Sequence, residues 1–364
     1  MRLPDDFEER NKMTPTILTT GIMVFLFVGV ILLTVWFLNQ QKEKEPEKKI
    51  VEESQVIIEE SQTYPEADEL ISGSKLSPDD LDFWDKYPEK TPEPVESVEE
   101  SEAVENIEDP ATDGKHTLLT YKDKSTEWVL ISPYLPKHDY DFTRLVCQSE
   151  LMKYYDNGKQ ISFVGIDISK FQEHVDFDRV KRAGIDFVML RAGFRGYGSG
   201  QLVVDEYFMD NIKRATDAGL QIGIYFFSQA ITKEEAVEEA NFVLQLIEDY
   251  DVKYPIAYDM EIIENDSCRV ENLSRTERTD ITKAFLDTVR DAGYEAMVYG
   301  EKEWFIKQLD LSKLTAYDFW LAQPGDIPDY PYKFSMWQYS QNAIVDGING
   351  YVDMDICFID YSEK

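Results

Sequence analysis

The sequence predicts an α/β protein: an irregular (β/α) barrel of the TIM type, preceded by a single transmembrane helix and a disordered acidic linker. Three observations carry this. Short apolar runs alternate with helical patterns from residue 161 onward, which is the signature of a mainly parallel sheet with both faces covered. Ala183-Gly184-Ile185, Ala218-Gly219-Leu220 and Ala292-Gly293-Tyr294 repeat one joint, a glycine closing a helix shortly before a strand. The last candidate strands lack good intervening helices, which makes the barrel irregular. An open doubly wound sheet is the competing architecture.

In chain order, residues 1–15 form a polar N-terminal tail. Residues 16–39 hold an apolar run, including Met23-Val24-Phe25-Leu26-Phe27-Val28, long enough to span a bilayer as a helix. A cleaved signal peptide is the alternative, but no small-x-small site follows the run. Trp36 and Phe37 stand where interfacial aromatics are expected. Arg2, Arg10 and Lys12 precede the run, and Lys42, Lys44, Lys48 and Lys49 follow it. That count does not favour an outward C-terminus. Residues 40–113 are rich in Glu, Ser, Pro and Lys and poor in large apolar residues, so they read as an extended tether.

Residues 114–160 read as a small lead-in subdomain. It holds a hairpin (118–121 and 128–131, turning at Lys122-Asp123-Lys124-Ser125) and a helix over 142–155. The barrel domain then occupies 161–364. Its strands are expected at 163–167, 187–192, 222–227, 255–261, 296–299, 319–322, 334–339 and 354–358. Helices are expected at 177–183, 207–218, 233–250 and 274–291. Thr232 with Glu235, and Ser274 with Glu277, stand at capping-box spacing before the last two.

A formal net charge of -34 over 364 residues argues against nucleic acid or anionic lipid as a main partner. Three cysteines without CxxC spacing and three histidines give no disulfide scaffold and no zinc motif, so no metal and no cofactor is expected. No glycine-rich phosphate loop and no G-x-S-x-G follows a strand, which removes nucleotide and serine-hydrolase chemistry.

The chemistry gathers in Pro255-Ile256-Ala257-Tyr258-Asp259-Met260-Glu261. Residues two apart on a strand share a face, so Asp259 and Glu261 leave the strand aimed at one pocket. Close carboxylates cannot both ionise freely. A raised acid beside an ionised partner is what glycosidic cleavage needs. The other strand ends supply Asp167, Arg191, Tyr225, Tyr299, Trp320, Trp337, Gln338 and Asp353. Acids with aromatics, without His or Cys, read as a saccharide site. Each has a plainer role available: Tyr225, Trp320 and Trp337 as core, Arg191 as a structural counter-charge, and Asp167, Asp353 or Asp355 as loop acids.

Several stretches together resemble the glycoside hydrolase family 25 lysozymes, which are N-acetylmuramidases. They are Gly165-Ile166-Asp167-Ile168-Ser169-Lys170-Phe171-Gln172, residues 187–192 and 223–227, Asp259-Met260-Glu261, Met336-Trp337-Gln338-Tyr339 and Val352-Asp353. The resemblance runs from Ile161 to the C-terminus. It implies a flattened barrel that cleaves the β-1,4 bond from N-acetylmuramic acid to N-acetylglucosamine in peptidoglycan glycan strands. Glu261 would be the general acid, Asp259 its partner, and Asp167 and Asp353 the flanking acids. Direct attack by the partner and orientation of the substrate's acetamide both stay open. Phe226 departs from the His that many relatives carry after Tyr, so secondary contacts there are expected to differ. On this reading the barrel lies outside the cell membrane. A wall-binding module that grips glycan without cutting it is the alternative from a different class.

Overall fold

The computed structural model describes residues 109–262 and 268–364. The expected tail, span and nearly all of the acidic linker (residues 1–108) lie outside the described residues. Among the described residues no helix is long and apolar enough to cross a membrane.

The chain opens with an antiparallel hairpin, β1 (His116–Thr120) and β2 (Thr126–Leu130), with Thr120 opposite Thr126. A second antiparallel unit follows: β3 (Leu145–Gln148), β4 (Leu151–Asp156) and the short β5 (Lys159–Gln160). Of the helix expected over 142–155 only a single 3-10 turn, Phe142–Arg144, forms; the rest is strand from Leu145 onward, broken at Ser149-Glu150. Ser149 and Glu150 both take positive φ, at 51° and 69°, which turns the chain back on itself. Tertiary contacts then select period two over the helical spacing. Met152 and Tyr154 point inward, and the backbone amide of Met152 donates to the Tyr339 hydroxyl at 3.1 Å.

The barrel strands are β6 (Phe163–Ile168), β7 (Phe187–Arg195), β9 (Gln221–Ser228), β10 (Ile256–Met260), β11 (Ala296–Glu301), β12 (Asp318–Ala322), β13 (Met336–Ala343) and β14 (Val352–Cys357). The short β8 (Leu202–Val204) only extends β7. Around the barrel the order is β6, β14, β13, β12, β11, β10, β9, β7, and β7 pairs back to β6. All neighbours are parallel except β14, which is antiparallel to both β13 and β6. The sheet is closed, so the open doubly wound alternative does not apply.

Among the described residues four α-helices pack outside: α1 (Phe177–Arg182), α2 (Phe208–Asp217), α3 (Lys233–Leu246) and α4 (Arg275–Asp291). Ser274 and Glu277 form a complete capping box on α4. On α3 only half forms: Thr232 accepts from the Glu235 amide, while the Glu235 carboxylate turns to the Ile231 amide and Arg269. Among the described residues no long helix covers β13 and β14. The lead-in takes that place, with the Tyr339 hydroxyl donating to Glu150 O and the Tyr140 hydroxyl to Phe334 O, both at 2.7 Å.

Strand alternation separates two cores. Outward residues such as Val164, Ile166, Val188, Ile224, Tyr258 and Trp337 meet the helices and lead-in. Inward residues fill the barrel in layers: Phe187, Met189, Tyr254, Ala257, Met297, Trp320, Met336, Cys357 and Tyr361. Gly165 makes this filling possible, because a Cβ there would lie 2.1 Å from the Phe187 ring. The barrel bottom is thus a packed plug, with Asp318 accepting from Ser335 and Tyr361 at its base, and the candidate site lies above it.

Candidate active site

The inward positions above this plug are the last ones on each strand. On β10 the sequence Ile256-Ala257-Tyr258-Asp259-Met260 alternates out and in, and Asp259 is the inward residue at the top. Glu261 follows just beyond the strand end, close enough to raise the Asp259 carboxyl. Asp259 sits beside Tyr299 of β11 in register. It is 5% exposed, and its Oδ1 has no hydrogen-bond partner among the described residues. Burial first, then the neighbouring Glu261, push its carboxyl well above the usual range; Arg191 pulls it only partly back. Glu261 is pushed up to about 6, by burial and then by Glu301. Its side chain lines a cavity of ≈ 180 Å³ with Ile262, Glu301, Glu303 and Trp304.

The sequence led us to expect one raised acid beside an ionised partner. Instead both carboxyls are raised, because β10 carries them into a buried barrel mouth crowded with other carboxyls, where Arg191 offsets the Asp259 shift only in part. The pair titrates as a unit.

On the opposite wall three acids meet. Asp353 of β14 lies directly opposite Asp167 of β6, and Asp355 opposite Gly165. Asp353 reaches the barrel top from the start of its strand because β14 runs backwards. Gln338 of β13 ties the group together. Its Nε2 donates to Asp167 Oδ2 at 2.7 Å and to Asp353 Oδ2 at 3.4 Å, and its Oε1 accepts from the Tyr299 hydroxyl at 3.1 Å. Burial and then Asp353 hold Asp167 well above the usual carboxyl range, and burial raises Asp353 to about 6. Asp355, fully buried beneath them, accepts from Trp320 Nε1 at 2.8 Å and is raised by burial and by Asp167.

Arg191 reaches this cluster from β7, held by Asp205, whose Oδ2 accepts from Arg191 Nε at 2.8 Å. Its guanidinium also lies 5.4 Å from the Phe171 ring centre. Tyr225 and Tyr299 are half-buried, and burial together with nearby carboxyls keeps both hydroxyls protonated.

Two expected sugar-stacking residues are placed elsewhere. Trp320 is 1% exposed; it lies under Tyr299 at 4.7 Å between ring centres and forms the floor rather than a free face. Trp337 is fully buried in the outer core, its Nε1 donating to Gln323 O at 2.9 Å. It is one residue from the inward Gln338, and one residue on a strand reverses the face. Phe226 likewise faces outward, packing 6.1 Å from the Phe242 ring. Its departure from the family pattern therefore falls in the outer shell, away from the groove.

One residue of the site, Asp355, is weighed in the sequence only as a loop acid, and another, Gln229, escapes sequence reasoning altogether. Asp355 repeats the i, i+2 acid spacing with Asp353, a signal that was present but ambiguous. Gln229, fully buried just after β9, donates from Nε2 to the carbonyl of Glu261 at 3.0 Å and accepts from the Arg269 amide at 3.1 Å. It fastens Glu261 from a neighbouring strand end, and nothing in its local sequence marks it. Among the described residues no group of three or more His, Cys, Asp or Glu is arranged to hold a metal ion.

Comparison with known proteins gives the following. The model of the Glycosyl hydrolases family 25 matches residues 166–348. An autolytic lysozyme of Clostridium acetobutylicum is 28% identical over 192 residues, covering 52% of this chain and 54% of that protein. The YegX protein of Escherichia coli K12 is 27% identical over 198 residues, covering 53% of this chain and 68% of its own. The chain thus spans about half the length of the lysozyme it matches. Among solved structures, the modular autolysin LytC of Streptococcus pneumoniae with a synthetic peptidoglycan ligand superposes with a TM-score of 0.50. The identity is 20%, over 66% of this chain and 56% of that one. At that identity the likeness speaks to the fold.

Proposed function

The chain belongs to family 25 of the glycosyl hydrolases, and on that premise we propose that it is a muramidase. The bond cut is the β-1,4 linkage from N-acetylmuramic acid to N-acetylglucosamine in peptidoglycan glycan strands. The observation that carries the reading is the pair Asp259 and Glu261 at one strand end, with Glu261 raised to about 6. A carboxylic acid that keeps its proton up to about pH 6 can donate it to a leaving oxygen on the acid side of neutral.

In this reading Glu261 protonates the glycosidic oxygen as the C–O bond breaks. Asp259 supports the developing charge at the anomeric carbon, either by attack or by holding the acetamide group. Water completes the hydrolysis and returns the proton to Glu261. Gln338, Asp167 and Asp353 then shape the far wall, and Arg191, Tyr225 and Tyr299 line the groove between.

Zymography of the full chain on cell-wall gels, followed by reducing-end analysis of the fragments, is the test. Clearing with new N-acetylmuramic acid ends is the expected result. Binding to wall without clearing would establish the glycan-gripping alternative instead. We further propose that residues 16–39 span the membrane and that the acidic stretch tethers the barrel outside the cell. External protease on intact cells should then release the barrel domain, and survival of the full chain would refute that orientation.

A further inference from the structure

We propose that the lead-in hairpin β1–β2 is a working wall of the substrate groove. Lys122 at its turn and Trp304 after β11 would make a subsite for an uncharged hexosamine ring next to Glu261. The inference rests on the glycan-cleaving reading of the cleft, but the hairpin precedes the region that matches the family model, residues 166–348.

The segment after β11 is two-sided. Lys302 and Lys307 turn to the hairpin: Lys302 Nζ donates to Leu118 O at 2.8 Å, and Lys307 Nζ to Glu127 Oε1 at 2.7 Å. Lys302 is only 7% exposed, so its bond to the hairpin backbone is a buried anchor rather than a loose surface contact. The Tyr121 hydroxyl closes on the other Glu127 oxygen, and Leu119 and Val129 are buried beneath. Glu301 at the end of β11, with Glu303, Trp304 and Gln308 from the same segment, lines the ≈ 180 Å³ cavity with Glu261 and Lys122. The hairpin turn is therefore held at the rim of the space into which Glu261 points. That space is roughly ten times the ~10–15 Å³ that a single water needs by the same measure.

The lining indicates the ligand class. Trp304 offers a ring pinned by the Arg278 guanidinium at 5.5 Å, and Gln308 and Lys122 offer polar contacts. Three carboxyls against one ammonium disfavour a carboxylate-bearing sugar and suit a neutral one. Lys122 has a second consequence. Glu261 is faced by Asp259 on its own strand, by Tyr299 and Glu301 of β11, by Glu303 beyond it, and by Lys122 from the hairpin. Lys122 is the group among these that draws the Glu261 carboxyl downward.

The test uses the full chain with Lys122→Arg, Lys122→Ala and Lys122→Glu. Lys122 is exposed at a turn, so the fold tolerates all three. With peptidoglycan as substrate, Lys122→Ala should move the upper pH limb of kcat/KM to higher pH, and Lys122→Glu further. Lys122→Arg should keep the limb in place. KM should rise about two- to fivefold for Ala and Glu, the range for a partly exposed charged contact. In parallel, calorimetry of an N-acetylglucosamine oligosaccharide on the non-cleaving Glu261→Gln chain should show the same loss on adding Lys122→Glu. Infrared titration of the Glu261 carboxyl should show its pKa rising. Unchanged affinity and an unchanged Glu261 titration in Lys122→Glu would overturn the proposal. If the wild-type chain fails to cut peptidoglycan, the muramidase reading falls, while the binding and titration arms still decide the role of the hairpin.

Discussion

Replacing Glu261 with Gln separates what the carboxyl does for catalysis from what it costs the fold. The amide keeps the shape and reach of the side chain and cannot ionise. In the folded protein the carboxyl is raised from 4.5 to about 6, by burial and then by Glu301. A carboxyl raised on folding binds more protons in the folded state, so stability is full below 4.5 and is lost as pH rises through about 6. The interval from 4.5 to about 6, at ~1.4 kcal/mol per unit, amounts to ~2 kcal/mol. Glu261→Gln should therefore equal the wild type in stability at pH 4 and exceed it by ~2 kcal/mol at pH 7.5. Its lysis of peptidoglycan should fall by ~10²–10⁴, since an amide donates no proton of use to a leaving oxygen. Urea unfolding by circular dichroism at both pH values, beside a turbidity assay, measures the two effects. A stability gain that is absent at pH 7.5, or equal at the two pH values, refutes the buried-acid argument. Near wild-type lysis refutes Glu261 as the acid. An aryl glycoside whose leaving group needs no proton should restore cleavage in Glu261→Gln and not in Asp259→Asn.

Three further outcomes follow from the same geometry. The wild-type kcat/KM should decline above about 6, where Glu261 loses its proton, and a rate still rising through pH 9 would point to a different base. Gln229→Leu leaves the Glu261 carbonyl and the Arg269 amide unpartnered, so kcat should drop while KM holds; unfolding should become ~1–3 kcal/mol easier. Equal losses in kcat and KM would show that Gln229 does not position Glu261. Trp337→Phe removes the indole bond to Gln323 O on the outer face and should lower stability by ~1–3 kcal/mol with kcat unchanged. Loss of activity at unchanged melting temperature would place Trp337 in the groove after all.

The sequence by itself determined what depends on neighbours along the chain. Strand and helix order from 161 onward follows from local periodicity. The helix stops follow from Gly184, Gly219 and Gly293, whose φ values of 101°, 74° and 91° few other residues adopt. The nearness of Asp259 and Glu261 follows from the two-residue repeat alone. Only the tertiary structure decided what depends on partners distant in sequence. The reversal of β14 brings Asp353 opposite Asp167 and buries Asp355 below them. A one-residue difference in face sends Trp337 outward while Gln338 binds three partners inside. Ser149 and Glu150 turn 145–155 into strands because Tyr339 and the uncovered flank of β13 and β14 reward strand pairing there. The pKa directions of both acids arose the same way. Spacing shows that two carboxyls are close, but desolvation depends on the walls around them. Here the walls around Glu261 come from the end of β11 and the segment after it, and from a hairpin more than a hundred residues upstream.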